Sequence, residues 1–317
     1  GGGSDLPAYY KEELGAVLST SINKYVYIAL NPKFDGRTRL NYSKTEEVDF
    51  VNQIEHPIFR EVLQYLNIPG GIELASMADI PSKGSGLGSS SSFTVGLLNA
   101  LYAYKNQYIS KADLAREACY IELDKCGEPI GKQDQYAAAY GGINIIKFHA
   151  DETVDVEPII CNPGLVKKIE QHTLVFFTGR TRSASALLAQ QSKDLASLDR
   201  KKLMRRMVEL VFELKSEMQN NILDNFGSIL HENWVLKSQL TNGISDPQID
   251  DWYKTGIKYG ATGGKLLGAG NGGFLMFFAP PENHIRIQKA LNRLKKVDFG
   301  FDNSGSQIVF YQPNKLR

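Results

Sequence analysis

The segment Lys83-Gly84-Ser85-Gly86-Leu87-Gly88-Ser89-Ser90-Ser91-Ser92 constrains this chain more than any other. It runs directly into a stretch where Phe93, Gly96, Leu97, Ala100, Leu101 and Tyr104 recur at helical spacing, so a helix with one face in a core begins near Ser89. A helix start needs a single capping hydroxyl. Three glycines and the four serines at the helix start exceed that need. Gly84, Gly86 and Gly88 let backbone N–H groups approach an anion closely and tolerate unusual φ/ψ. The first turn of the helix adds unpaired N–H donors and the positive end of its dipole. Ser89 and Ser90 add hydroxyls able to bind a phosphate oxygen or a hard cation. The segment reads as a polyphosphate-binding loop, with Lys83 at its entry.

Phosphoryl transfer at such a loop calls for a divalent-cation ligand and a base. A helix is expected from Lys111 to about Lys125, and Glu122 falls on its face with Ala115, Ala118 and Cys126. A carboxylate among small residues suits an inward-pointing metal ligand. Asp124 lies on another face and is the weaker candidate. Asp134 follows the loop Gly127 to Gln133 and opens a short helix to Ala139, where it can serve as a base or merely as a first-turn acid.

The remaining chain sets the frame. With 317 residues, two domains of ordinary size are expected. Lys and Arg total 36 against 35 for Asp and Glu, so no overall field attracts nucleic acid or an anionic membrane. Three cysteines (Cys119, Cys126, Cys161) argue against a disulfide framework and suit a reducing cytoplasm. No apolar run reaches membrane-span length, and no signal peptide is read. Strands are expected from Gly15 to Leu30, a hairpin or meander from Asn31 to Glu47, a helix from Phe59 to Leu66, and strands at Gly71 to Met77 and Ile143 to Phe148. From Asp151 to Lys168 the pattern weakens, with Pro158 and Pro163 interrupting it. The domain boundary is therefore set near residue 168, giving domains 1–168 and 169–317. The second half is expected to hold a strand from His172 to Thr178 and helices near Ser183 to Gln191, Lys201 to Asn221 and Asp246 to Tyr259. A glycine-rich loop, Gly260 to Gly273, precedes a strand from Phe274 to Ala279. A helix from Glu282 to Leu294 and a last strand from Gln307 to Tyr311 follow. Helices and strands mix without strict βα alternation, which indicates an α+β fold rather than a doubly wound one.

Several motifs fail on context. Gly268 to Gly273 satisfies G-x-G-x-x-G but opens a strand, whereas a dinucleotide fingerprint opens a helix. Gly260 to Lys265 resembles a Walker A loop that is one residue short and lacks the hydroxyl residue after Lys265. Echoes of β-lactamase motifs at Ser21 to Lys24 and Lys254 to Gly256 lack their partner element. His231-Glu232 has no second zincin histidine, and the cysteines lack zinc spacing. The basic helix beginning Arg200-Lys201-Lys202 also carries Met204, Met207, Val208 and Leu210, a solvated face over a core stripe.

Pro81 through Ser92 (PSKGSGLGSSSS) resembles the phosphate-binding motif of the GHMP kinases, the family of galactokinase, homoserine kinase, mevalonate kinase and phosphomevalonate kinase. Gly268 to Gly273 is similar to that family's C-terminal glycine-rich motif. The opening GGGSDLP and the stretches NPKFDGRTRLNYSKTE and FTGRTRSAS more narrowly resemble the heptose 7-phosphate kinases within it. The likeness covers essentially the whole chain. It also makes the opening glycines, which alone could be a linker remnant, native sequence.

The resemblance implies a two-domain fold, with an N-terminal domain like ribosomal protein S5 domain 2 and a ferredoxin-like C-terminal domain. ATP and Mg²⁺ are then expected, with Lys83, Gly84, Ser85, Gly86, Leu87, Gly88, Ser89 and Ser90 around the ATP phosphates, Ser90 and Glu122 on Mg²⁺, and Asp134 as base. The family's G-x-P-x-G-x-D segment is GEPIGKQD here, one residue longer. Ser4 and Asp5 match a position where sugar-kinase relatives bind ring hydroxyls, and Gly272 lies in the third motif. A substrate carrying its own phosphate needs a cationic clamp, for which Arg180 and Arg182 are the best candidates and Lys83 or Lys132 are possible. The reaction implied is phosphorylation of the anomeric hydroxyl of a small sugar phosphate, D-glycero-D-manno-heptose 7-phosphate, for nucleotide-heptose or surface-polysaccharide synthesis by a cytoplasmic monomer or homodimer. The alternatives are another sugar 1-kinase of fucokinase or galactokinase type, or a non-catalytic sensor on the same fold, which would not need the base.

Overall fold

The computed structural model describes residues 2–80, 86–180 and 184–313. Three four-stranded sheets organise them. The first sheet is built on β1 (Gly15–Ile22), and the expected run to Leu30 breaks at Asn23, where β2 (Val26–Pro32) leaves for another sheet. That second sheet adds the hairpin β3 (Thr38–Asn41) and β4 (Thr45–Val48), and β5 (Ile72–Ala78), in the order β2-β5-β3-β4. β6 (Ile143–Phe148) pairs antiparallel with β1 and β7 (Val154–Pro158) antiparallel with β6, and Gly15 of β1 faces Phe148 of β6.

The third sheet holds β8 (Thr173–Phe177), β9 (Gly263–Leu266), β10 (Phe274–Phe278) and β11 (Lys295–Lys296) in the order β11-β8-β10-β9. With helices between β8 and β9 and between β10 and β11, this is the β-α-β-β-α-β arrangement of a ferredoxin-like domain. A twelfth strand, β12 (Phe301–Asp302), returns to pair with Ile22 and Ser21 of β1. Mixed helices and sheets confirm an α+β architecture.

Helices cover these sheets. The first half carries α1 (Pro7–Tyr10), α2 (Pro57–Tyr65), α3 (Ser89–Tyr104), α4 (Lys111–Cys119) and α5 (Gln133–Tyr140). α6 (Pro163–His172) joins the halves, so residue 168 lies within a helix. The second half carries α7 (Ala184–Asp194), α8 (Leu198–Gln219), α9 (Phe226–Ser238), α10 (Pro247–Lys258) and α11 (His284–Ala290). α8 buries Met204, Met207, Val208, Leu210, Val211, Leu214 and Met218, the core stripe expected of it. The core of the second half extends to Leu6, Tyr9, Ala16 and Ile145, while Phe59, Leu97, Leu101 and Ile121 centre a separate core in the first.

Four expectations need correction. Pro163 does not interrupt the chain. It starts α6, where a missing N–H costs nothing, and the Asn162 side chain accepts a bond from the Gly164 N–H at 2.8 Å. Val154–Pro158 is a strand, with Pro158 as its last residue. The expected strand from Gln307 to Tyr311 pairs with no strand among the described residues, and Val309 and Phe310 are exposed, so the short apolar run there is not a sheet signal. Helix α9 was not expected at all. Its buried face includes the polar Asn233 and Lys237 while Val235 is exposed, which blurs the 3.6-residue apolar period.

Candidate active site

Gly88 is the N-cap of α3, with φ at +68°, and having no side chain it gives the first turn no side-chain cap. Gly86 also has positive φ, +76°. These residues, with Leu87, line a cavity of about 380 Å³ between the two halves. Asp134 lines the same cavity, and a Cβ on Gly88 would stand 3.3 Å from its Cγ. Lys83, Gly84, Ser85 and Arg182 lie outside the described residues.

Across the cavity, the second glycine-rich loop meets the first. A Cβ on Gly268 would fall 2.4 Å from the Cα of Gly86, so only glycine allows the two backbones this approach. The loop opens into β10 and Lys265 lies on β9, which removes the dinucleotide and Walker readings of both glycine runs.

Glu122 is 1% exposed and sits where α4 runs on into a single π-helical segment, Tyr120–Lys125. Such segments are frequent at functional sites. Four donors converge on its carboxylate: Ser90 Oγ at 3.1 Å, Ser91 Oγ at 2.8 Å, Thr94 Oγ1 at 3.0 Å and Gln135 Nε2 at 2.5 Å. Burial pushes its pKa up, and these four hydrogen bonds pull against that. Gln135 Oε1 beside it is buried with no partner among the described residues. Carboxylate, serine hydroxyl and amide oxygen together form a hard-oxygen donor set of the kind Mg²⁺ takes with substrate phosphates. Sequence reasoning found Ser90 and Glu122 but missed Ser91, Thr94 and Gln135, which face Glu122 only once α3 and α5 pack together.

Asp134 does not cap its helix. Asp5 does: its Oδ2 accepts the Gln133 N–H at 3.2 Å, and its Oδ1 accepts the Gly3 N–H at 3.0 Å. The fit is close, since a Cβ on Gly131 would lie 1.9 Å from Asp5 Oδ2. The Asp134 carboxyl is left without a hydrogen bond among the described residues. Burial pushes it up to about 7, the charges of Asp5 and Glu122 add to the rise, and Lys237 opposes it.

Lys237 comes from α9 and is 3% exposed. Its ammonium donates to the Gly268 carbonyl. Burial lowers it to about 8, against the pull of Asp5 and Asp134. Lys265 Nζ donates to Asn233 Oδ1 at 3.0 Å and is lowered to about 7 by burial and then by Lys237. All three side chains line the cavity. The sequence offered one signal for them, Lys265 within a glycine run. Asn233 and Lys237 lay on the unexpected helix. α9 reaches β9 through glycines, since a Cβ on Gly263 would strike the Gly227 carbonyl at 1.8 Å.

The other expected substrate residues are held elsewhere. The Ser4 hydroxyl donates to the Ala16 carbonyl at 2.8 Å and accepts the Ala16 N–H at 3.2 Å, which commits it to the β1 backbone. Asp5 is buried under Gly131. Arg180 pairs with Asp246 at 2.5 Å, bonds Gln248 and lies 5.6 Å over the Trp252 ring, tying it to the start of α10. Gly272 packs on the Arg180 backbone, with a Cβ there 3.1 Å from the Arg180 carbonyl. Lys132 pairs with Glu152 and covers the Tyr10 ring. Among the described residues no helix is long and apolar enough to cross a membrane.

Comparison with known proteins agrees with this architecture. The family model of the GHMP kinase N-terminal domain matches residues 39–142, and that of the C-terminal domain matches 214–297. The chain is 29% identical to a D-glycero-α-D-manno-heptose 7-phosphate kinase of Campylobacter jejuni, over 96% of this chain and 94% of that one. It is 27% identical to a bifunctional fucokinase/GDP-fucose pyrophosphorylase of Arabidopsis thaliana, over 88% of this chain but only 28% of that protein. A solved D-glycero-D-manno-heptose 1-phosphate kinase of Bacteroides thetaiotaomicron has the same fold, with a TM-score of 0.80 at 24% identity over 98% of this chain and 96% of that one. The two domain matches together span more than half of the sequence, and the chain belongs to the GHMP kinases, as an ATP-using phosphotransferase that acts on a sugar.

Proposed function

We propose that the enzyme phosphorylates the anomeric hydroxyl of D-glycero-D-manno-heptose 7-phosphate, giving the 1,7-bisphosphate for nucleotide-heptose and surface-polysaccharide synthesis. The observation that carries this reading is the end-to-end likeness to the Campylobacter jejuni enzyme, over 96% of this chain and 94% of that one. In this reading residues 1–168 form the ATP-binding domain and 169–317 close the cleft.

Gly86, Leu87, Gly88 and the first turn of α3 at Ser89 and Ser90 hold the ATP phosphates through backbone N–H groups and the helix dipole. Ser90 and Glu122 hold Mg²⁺, with their neighbours Ser91 and Thr94 fixing the carboxylate; the ion supplies charge neutralisation between the phosphates. Asp134 takes the proton of the anomeric hydroxyl as that oxygen bonds to the γ-phosphorus and the bond to the ADP oxygen breaks. A raised pKa makes Asp134 a better proton acceptor than an ordinary surface aspartate while leaving it ionised at slightly alkaline pH. Asp5 keeps the start of α5 in register, so Asp134 presents the same face to the cavity.

A fucokinase-type substrate is the second reading, favoured by the 27% identity to the plant enzyme. ADP release with ATP, Mg²⁺ and a panel of sugars separates the two. Turnover with heptose 7-phosphate and none with free fucose, galactose or mannose supports the first. Turnover with a free sugar alone overturns it, and silence with ATP still bound favours a non-catalytic sensor.

A further inference from the structure

Lys24, Lys237 and Lys265 line the cavity, and among the described residues none of the three has a carboxylate within ion-pair distance. Several cations of the surrounding elements are paired: Lys132 with Glu152, Arg180 with Asp246, Lys201 with Glu12 and Arg205 with Glu13. Lys237 and Lys265 instead donate to neutral acceptors, the Gly268 carbonyl and the Asn233 amide oxygen. Both line the cavity that also holds Asp134, and Lys237 is nine-tenths buried. Asp5 and Asp134 offset the charge of Lys237 at longer range, while Lys265 has only Lys237 as its nearest charged neighbour.

A buried cation facing neutral dipoles is costly, and a second cation beside it raises the cost. Backbone packing holds the arrangement in place: α9 meets β9 at Gly227 and Gly263, which fixes Asn233 against Lys265, and the Gly268 turn fixes Lys237. A rigid, partly dehydrated pair of ammonium groups opening on a cavity suits a doubly charged tetrahedral anion.

We propose that Lys237 and Lys265, with the Asn233 amide, form a second phosphate-binding site, in the same cavity as the glycine-serine loop but built on α9 and β9. Its ligand is a phosphate dianion, either the phosphate carried by the sugar or the terminal phosphate of ATP. The first source rests on the heptose 7-phosphate reading; the site itself does not. In this role Lys265 replaces Arg180, whose guanidinium is already committed to α10.

Lys265→Met keeps the length of the side chain and removes its charge. If the sugar phosphate is the ligand, kcat/KM for heptose 7-phosphate falls about 10- to 100-fold, the value for the unphosphorylated sugar moves less than about threefold, and the KM for ATP is unchanged. If the terminal phosphate of ATP is the ligand, the KM for ATP rises by a similar factor and both acceptors suffer alike. Lys265→Arg recovers part of the loss in either case. Movement below about threefold in both arms overturns the site, and so does an equal loss in Lys265→Arg.

A second measurement uses the unaltered protein and needs no turnover. Acetic anhydride labelling, mapped by peptide mass, is run alone and with inorganic phosphate, ATP or heptose 7-phosphate added. Protection of Lys265 or Lys237 by about tenfold with inorganic phosphate supports the site even if heptose 7-phosphate proves not to be the substrate. Labelling of both lysines that no phosphate compound changes overturns it.

Discussion

Gly86 and Gly268 stand back to back, so close that a Cβ on Gly268 would lie 2.4 Å from the Cα of Gly86. The contact joins the glycine-serine loop of one half to the glycine-rich loop of the other. Gly268→Ala is therefore expected to push the loops apart and, since φ is +74°, to strain its own backbone. The cost is about 1–3 kcal/mol in denaturant unfolding, together with a higher KM for ATP. An alanine variant with unchanged KM would show that the loops bind independently.

Asp134→Asn should lower kcat by ~10² to 10⁴ while ATP binding, followed by calorimetry, stays near normal. The unaltered enzyme should lose kcat/KM about tenfold per pH unit below the Asp134 value of about 7, because the base must be ionised.

The same residue gives a stability signature of defined sign. A carboxyl raised to about 7 in the folded state binds protons there that the unfolded chain has released, so its contribution is complete below the unfolded value of 3.8 and is lost as pH rises through 7. Asp134→Asn should therefore melt higher than the unaltered protein at pH 8 and show no such gain at pH 4. Equal Tm differences at both pH values would contradict a raised carboxyl.

Much of this site was legible in the sequence, and the reason is local. Gly86, Gly88 and the serines announce a helix N-terminus by composition, and Glu122 stands out among small residues on one helical face. What was not legible depends on contacts between residues far apart in the chain. Lys237 and Asn233 sit on a helix whose neighbours hide its period, Asp5 acts on a helix 128 residues later, and Arg180 found its anion at Asp246 only once α10 was in place. The β-strand pattern was legible where strands pair along their length, as β1 and β6 do, and misled at Gln307 to Tyr311, where a run of consecutive apolar residues faces solvent.

Glu122→Gln places an amide among four donors. The three hydroxyls can turn, but the Gln135 amide, now 2.5 Å from an oxygen, can face another N–H, at a cost of about 1–3 kcal/mol. The Mg²⁺ concentration for half-maximal ADP release should rise at least about tenfold, as expected on losing a charged oxygen ligand. An unchanged Mg²⁺ requirement would remove Glu122 from the metal.

Gly131→Ala tests how Asp5 supports Asp134. The added methyl would meet Asp5 Oδ2 at 1.9 Å, displacing the cap of α5 at about 2–4 kcal/mol and lowering kcat. With Asp5→Ala in the same chain the clash is gone, so the pair should be less destabilised than the sum of the two single changes. Simple additivity in urea unfolding would argue against the contact.

Arg180→Ala should loosen the start of α10 by about 1 kcal/mol, through loss of the Asp246 pair and the Trp252 contact. It should leave the preference for a phosphorylated over a free sugar within about threefold. A collapse of that preference would return Arg180 to the substrate.

The pairing of β12 with β1 has a consequence for how the protein is made. Tyr25, just past β1, bonds Asp302 across 277 residues of chain, and Gly305 packs on Gly141 so tightly that a Cβ on Gly141 would stand 2.0 Å from its nitrogen. The half that carries the glycine-serine loop is synthesised before the other but cannot complete its own sheet until roughly 280 more residues have followed β1. At ordinary rates of synthesis that is a wait of roughly 15–60 s with one edge of β1 uncovered. The nascent first half is thus the stage at which this enzyme is most open to chaperones and to mispairing with its own copies.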